Sequence, residues 1–138
     1  MPPLLPPTPP LPMLRVHDGA VLQDTVLLLL SDHGTHGIWY TEYEIGATEH
    51  QLPFLYIVVP DWLLKERPAW AVALGRNQRR LVTAHELYRG MQQLAAYPDP
   101  VEASGTAKLS IFDEIPDGRT CEEAGIPEIY CACHRNYG

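Results

Sequence analysis

Two short apolar runs mark the first half of the chain, one at residues 26–30 and the other at residues 54–59. The first consists of valine and leucines and leads into polar turn residues. The second is rich in β-branched and aromatic residues and lies between two prolines. Continuous apolar runs bounded by turn residues are typical of strands buried on both faces of a parallel sheet. The stretch between them, residues 35–51, is mostly polar and predicts a loop over the surface.

Two helices are predicted in the second half. Pro68 suits the first turn of a short helix that stops at Gly75. Another helix begins at Thr83, where Glu86 completes a capping box, and it ends before Pro98. Its apolar residues recur at helical spacing and predict a face packed in the core: Leu87, Met91, Leu94 and Ala95.

From residue 99 the chain predicts irregular structure, with one short strand at residues 108–112. Buried strands joined by long crossovers, with helices alongside, indicate an α/β layered fold. Two or three strands make only a thin sheet. A parallel sheet needs several neighbouring strands and cover on both faces to be stable. We therefore expect part of a larger domain at residues 20–112. It would lie between a proline-rich, disordered tail at residues 1–19 and an irregular cysteine-containing tail at residues 113–138.

Composition narrows the function classes. The 138 residues carry a formal net charge of -7, which gives binding to nucleic acid or an anionic membrane no electrostatic support. No apolar run approaches the roughly 18 residues of a membrane span. Prolines fill seven of the first twelve positions, which argues against a signal-peptide helix. That segment predicts a polyproline-II tail or, alternatively, a ligand for a proline-recognising domain.

Three cysteines lie close together near the end of the sequence, Cys121, Cys131 and Cys133. Such clustering predicts a disulfide, and hence an oxidising compartment, with one thiol left over. The partner of that leftover cysteine is expected in residues beyond this sequence. An alternative is a zinc site formed by the cysteines and His134, although the spacing fits no common zinc finger.

Asp32 and His33 follow the first apolar run directly, and ligands of α/β sheets bind beyond the carboxyl ends of strands. A carboxylate and an imidazole side by side are good ligands for a divalent metal; zinc suits the mixture best and calcium is the other candidate. Gly34 is expected to let the backbone turn sharply, and His36 is a third ligand or a substrate contact. The alternative is an ordinary turn, because Ser, Asp, His and Gly are all common turn residues.

Several segments resemble one protein superfamily. Residues 25–34, TVLLLLSDHG, resemble the strand and metal-ligand turn of the alkaline phosphatase superfamily, which includes sulfatases, phosphodiesterases and phosphonate hydrolases. Residues 46–53 are similar to its Gly-x-x-Glu-x-x-x-Pro passage into the following strand. Residues 77–90 resemble the segment that leads into a late helix. Together with the tail at residues 119–133, these segments resemble the animal extracellular proteins of domain-of-unknown-function family 229.

The resemblance implies an alkaline-phosphatase-like α/β/α layered sheet in a secreted protein related to sulfuric and phosphoric ester hydrolases. Asp32 and His33 match the superfamily's paired metal ligands, whose cation polarises the ester and activates a nucleophile. Glu49 matches a family position for which a structural hydrogen bond is expected. In the helix segment, this chain carries Tyr88 where relatives carry a histidine.

Two functions are consistent with this sequence. In the first, the chain is the C-terminal metal-binding part of an ester hydrolase, inactive alone because the nucleophile and further ligands are expected upstream. In the second, it is a non-catalytic extracellular binding protein built on a truncated hydrolase fold. In both, a sheet cut in half exposes an edge and apolar faces. We therefore expect low stability or self-association of the isolated chain. A site with only two ligands is expected to hold its metal weakly.

Overall fold

The computed structural model describes residues 22–34, 37, 42–102 and 108–132. Within these ranges the chain combines helices with a small two-stranded antiparallel sheet. No helix in this part of the chain is long and apolar enough to cross a membrane. In chain order the elements are β1 Leu27–Leu30, α1 Glu44–Gln51, β2 Leu55–Val58, α2 Asp61–Glu66, α3 Pro68–Asn77, α4 Ala84–Ala96 and a 3-10 helix at Glu128–Tyr130.

The two strands lie where the apolar runs predicted them, but their pairing and burial differ from the prediction. β1 and β2 are antiparallel, with Leu29 opposite Tyr56. These two side chains remain 55% and 53% exposed, so the prediction of a parallel pair buried on both faces is wrong. A sheet of two strands, each of four residues, is too narrow and too short to keep its faces away from water.

A helix lies where the polar pattern predicted a loop. α1 occupies Glu44–Gln51, the second half of the predicted surface loop at residues 35–51. Its sequence, EIGATEHQ, carries little apolar periodicity, so the pattern gave no helical signal. The last residues of α1 lie shortly before β2 in the sequence and beside the turn that follows β1.

The helix predicted to start at Pro68 is confirmed as α3, but its end is not. Gly75 does not stop it; the helix continues to Asn77. A Cβ at Gly75 would meet no atom within 4 Å, and an isolated glycine in a helix costs too little to end it. The short helix α2 before it, Asp61–Glu66, was not predicted, although Asp61 after Pro60 is a recognisable start signal.

The capping box predicted for α4 is confirmed. The Thr83 hydroxyl accepts a hydrogen bond from the His85 amide at 3.2 Å. In return, the Thr83 amide donates to Oε2 of Glu86 at 2.8 Å. Two backbone N–H groups at the helix start are thereby satisfied, which fixes where α4 begins.

The buried face of α4 differs from the predicted stripe. Leu87 is buried as expected. Met91, at 41% exposure, and Ala95 are both exposed, so their assignment to the core is wrong. Gly90 lies on the buried face instead, and a Cβ there would come within 2.4 Å of Cγ2 of Ile111. The helix therefore packs through a glycine against the following loop, which rotates Met91 toward the surface.

The core forms where α3 and α4 meet residues 108–115. The predicted strand at residues 108–112 is wrong: this segment is a series of turns. Asn77, buried at the end of α3, holds the segment by donating to the carbonyl oxygens of Ile111 and Asp113 and accepting from the Ile115 amide. Buried polar side chains satisfied in this way specify one arrangement of the loop.

The C-terminal tail is attached to α4 by a buried ion pair and closed by a disulfide. Arg119 and Glu86 are both largely buried and 3.0 Å apart. Cys121 and Cys131 form a disulfide, and both are buried. The proline-rich residues 1–19, and with them the sequence-predicted His36, Cys133 and His134, lie outside the described residues.

Candidate functional site

The Asp32–His33 turn is positioned by the sheet. Ser31, the residue after β1, extends the pairing: its amide donates to the Phe54 carbonyl oxygen, and its hydroxyl accepts from the Phe54 amide, both at 3.1 Å. Because β1 and β2 are antiparallel, the end of β1 lies beside the start of β2. The turn is therefore adjacent to the connection between α1 and β2.

Gly34 fixes the turn against α1. Its amide donates to the His50 carbonyl oxygen at 3.1 Å. A Cβ on Gly34 would lie only 1.9 Å from the carbonyl oxygen of Glu49, so any side chain would force the two backbones apart. The sequence suggested that Gly34 allows a sharp turn. In the structure, glycine is required here because the backbone of α1 approaches it closely, which is the other common reason for a glycine.

The Asp32 and His33 side chains are held toward one another. Oδ1 of Asp32 accepts a hydrogen bond from the His33 amide at 3.0 Å. Nδ1 of His33 lies 2.7 Å from the Gly34 carbonyl oxygen; since a carbonyl can only accept, Nδ1 carries the proton. In the neutral ring, this tautomer leaves the lone pair on Nε2, as in metal sites where a carbonyl orients the histidine.

The distance between the other oxygen of Asp32 and the other ring nitrogen of His33 is compatible with a small divalent cation between them. Oδ2 of Asp32 and Nε2 of His33 are 3.7 Å apart. Two ligands of one tetrahedral zinc, each bound at about 2.0–2.1 Å, lie about 3.3 Å apart, so a small side-chain rotation suffices. The Asp32 side chain is 89% exposed, which leaves it accessible to an incoming ion. Nitrogen and oxygen donors together favour zinc over calcium.

His50 joins the pair from α1. Its ring centroid lies 4.9 Å from that of His33, with the planes tilted by 49°. The sequence did not single out His50, because it comes from an element predicted as a loop. The sequence offered one indication of a role for His50: it follows Glu49 in residues 46–53, the segment that resembles the Gly-x-x-Glu-x-x-x-Pro motif. Glu49 itself contributes the carbonyl oxygen against Gly34; the role of its side chain stays a prediction.

These residues line one wall of an open cleft of about 440 Å³. A second wall comes from the C-terminal tail, through Ile129 and Tyr130. Gln51 joins the two walls, because its Nε2 donates to the Ile129 carbonyl oxygen at 3.3 Å. The cleft is thus assembled from three segments that are distant in sequence: the turn after β1, the end of α1 and the 3-10 helix.

The described residues contain no cluster of three His, Cys, Asp or Glu side chains already arranged around a metal. The structure therefore brings together the two predicted ligands and an adjacent histidine. His36, the third predicted ligand, lies outside the described residues. The tail alternative is not supported: in the disulfide, Cys121 and Cys131 have no thiolates to offer a zinc ion.

Comparison with known proteins assigns a family. Neither the curated proteins nor the solved structures gave a match to this chain. One family model matches residues 11–137, which is nearly the whole sequence and includes the turn, α1 and the disulfide-bonded tail. The chain therefore belongs to the family described as "Protein of unknown function (DUF229)".

Proposed function

We propose that this chain is the metal-binding C-terminal part of a secreted ester hydrolase of the sulfatase and phosphatase type, related to the alkaline phosphatase superfamily. The observation that carries the proposal is the Asp32–His33 pair. It follows a strand, its histidine tautomer is oriented by a backbone carbonyl, and its donor atoms are 3.7 Å apart. An ordinary turn needs neither the ring orientation nor the glycine contact that holds the pair in place.

In this proposal Asp32 and His33 hold a divalent cation, for which zinc is the best candidate and calcium the second. When bound, the cation polarises an oxygen of a phosphate or sulfate ester. The chain's own residues orient it: the Asp32 carboxylate supplies charge, and His33 is held by Gly34. We propose that His50, whose ring centroid lies 4.9 Å from that of His33, donates a hydrogen bond to an ester oxygen.

The sheet supports the fold part of the proposal. Both faces of β1 are lined with leucine, and the face with Leu29 and Tyr56 is exposed. Strands that are apolar on both sides occur in sheets covered by helices on both faces. We propose that β1 and β2 belong to such an α/β/α layered sheet.

The disulfide supports secretion. Cys121 and Cys131 are bonded and buried in the tail, and disulfides of this kind persist in oxidising compartments. The substrate partner in this proposal is a small phosphate or sulfate ester. With a net charge of -7, we propose no nucleic-acid partner.

Zinc titration of the full chain by calorimetry tests the proposal. Asp32→Ala and His33→Ala should each weaken zinc binding about tenfold or more, as loss of a ligand or its orienting partner does. The matched controls are Asp99→Ala and His85→Ala, exposed residues of the same types that lie away from the cleft. Their zinc affinity should equal that of the unmodified chain.

The second candidate is a non-catalytic extracellular binding protein on the same fold. It is favoured by the incomplete ligand set among the described residues and by Tyr88 in place of the relatives' histidine. The titration separates the two proposals. Equal zinc binding by the unmodified chain and both ligand variants would remove the metal role and leave the binding protein.

A further inference from the structure

The tail wall of the cleft combines a fixed backbone with exposed apolar side chains. Ile129 is 75% exposed and Tyr130 is 64% exposed, although both belong to a 3-10 helix. Apolar side chains held in water at the edge of a cleft cost free energy unless they contact something. On a rigid segment, such residues are typical of a binding surface.

Two local hydrogen bonds and a disulfide fix the shape of this segment, and one side-chain hydrogen bond joins it to the end of α1. The Tyr130 amide donates to the Pro127 carbonyl oxygen at 2.9 Å, and the Cys131 amide donates to that of Glu128 at 3.0 Å. Cys131 is buried and bonded to Cys121. The Gln51 side chain then ties the Ile129 backbone to the end of α1. The backbone is thus fixed on both sides of Tyr130, while its ring stays exposed.

Two kinds of side chain line the cleft. Asp32, His33 and His50 supply charge and donor atoms, and Ile129 and Tyr130 supply apolar surface. A phosphate or sulfate ester has the same division, with an anionic head on one side of the ester oxygen and an organic group on the other. A cleft of about 440 Å³ lies within the size range of small-molecule sites.

We infer that Ile129 and Tyr130 form the subsite for the organic group of the ester, and that they favour a group with a flat apolar face. The inference rests on the proposed function, since the anionic head is placed at the Asp32–His33 metal site. An aromatic ring of Tyr130 stacks on such a face, and Ile129 covers its edge. A phenyl ring is the simplest group that meets this requirement.

Binding of two phosphonates to the zinc-loaded full chain tests the subsite without relying on turnover. Phenylphosphonate and methylphosphonate share the anionic head and differ in the organic group. Phenylphosphonate should bind about three- to tenfold more tightly, the range expected of one aromatic contact. Tyr130→Ala should abolish the preference, and Tyr130→Phe should keep it, because the ring rather than the hydroxyl makes the contact.

The matched control is Tyr88→Ala, which removes an exposed tyrosine of α4 that does not line the cleft. It should keep the phenyl preference. Zinc affinity, measured on every variant, shows that the turn is intact. Equal affinity for the two phosphonates, or a preference that survives Tyr130→Ala, would overturn the subsite and leave the metal site standing. If the chain binds zinc but neither phosphonate, the ester site and the subsite both fall; if it does not bind zinc, the proposed function fails first.

Discussion

Gly34 is the residue on which the geometry of the candidate site most directly depends. The Asp32 and His33 side chains are exposed, so packing around them does little to hold them. Their backbone is held instead by the contact of Gly34 with the last turn of α1. The site is therefore expected to be sensitive to a single added methyl group at a position that touches neither metal nor substrate.

We predict that Gly34→Ala destabilises the chain by about 1–3 kcal/mol, the usual cost of forcing an extra carbon into a close contact. It should also weaken zinc binding, because the turn must move away from α1. Thermal unfolding and zinc titration measure the two effects. Gly75→Ala is the control; with open space around Gly75, it should stabilise α3 by about 0.5–1 kcal/mol. Normal stability and zinc affinity in Gly34→Ala would contradict this account of the turn.

The charge of the buried Glu86 side chain makes the stability of the fold depend on pH. Burial raises the pKa of its carboxyl, but hydrogen bonds from Arg119 and Thr83 and the Arg119 charge outweigh this and lower the pKa below its ordinary 4.5. The folded state therefore favours the charged form. Its contribution to stability is complete above the ordinary pKa and is lost as the pH falls through the lowered folded-state value.

We predict that Glu86→Gln costs about 3 kcal/mol of stability at neutral pH, because it leaves the buried Arg119 charge without its partner. The cost should shrink as the pH falls below about 4.5, where the native glutamate loses its own advantage. Urea unfolding at several pH values measures this. A difference between the two proteins that grows in acid would be inconsistent with the lowered pKa.

Asp32 and His33 could be predicted from the sequence because they come just after an apolar strand and Ser31. The sequence did not predict His50, Ile129 or Tyr130. Those residues reach the cleft through the packing of α1 and of the tail, and local patterns carry no information on such distant contacts. Only the position of His50 beside a family-like Glu49 offered a signal.

Among the elements, the disulfide-bonded tail is the one whose attachment decides the shape of the cleft. It is joined to α4 through Arg119 and to α1 through the Ile129 carbonyl oxygen. The disulfide closes a loop between residues 121 and 131. Closing a loop of this size limits the unfolded chain more than the folded one, which stabilises the tail.

We predict that replacing Cys121 and Cys131 together by serine lowers stability by about 2–3 kcal/mol. Amide exchange should rise in residues 120–131 and stay slow in α4. Reduction of the unmodified chain with dithiothreitol should reproduce the effect, while the same treatment should leave the double variant unchanged. Unaltered exchange in the tail after reduction would show that the disulfide does not fix the cleft wall.

The helices and strands were predicted to different extents for physical reasons. The starts of α3 and α4 depend on local signals, a first-turn proline and a capping box, and both were correct. Strand direction has no local signal, because a run of leucines reads the same in either pairing. α1 was missed since its sequence lacks apolar periodicity, and its contact with Gly34 joins residues that are distant in sequence.

One face of the β1–β2 sheet exposes large apolar side chains that no described residue covers. Leu27, Leu29, Phe54 and Tyr56 are all exposed large apolar side chains. Apolar surface of this kind, on a sheet that has two short strands among the described residues, favours association with other strands or other copies.

We predict concentration-dependent self-association of the isolated chain through this face. Leu29→Lys should reduce it in sedimentation velocity, because the charge would be buried in the contact. Val72→Lys, at an equally exposed apolar position on α3, is the control and should associate as before. A monomer that melts cooperatively at all concentrations would contradict the prediction.

X-ray absorption at the zinc K-edge identifies the ligand atoms in the zinc-loaded chain and would show whether Asp32 and His33 bind the metal. We expect only nitrogen and oxygen ligands at about 2.0–2.1 Å, with an imidazole signature that weakens in His33→Ala. Sulfur at about 2.3 Å, or a spectrum unchanged in His33→Ala, would place the metal elsewhere and rule out this site.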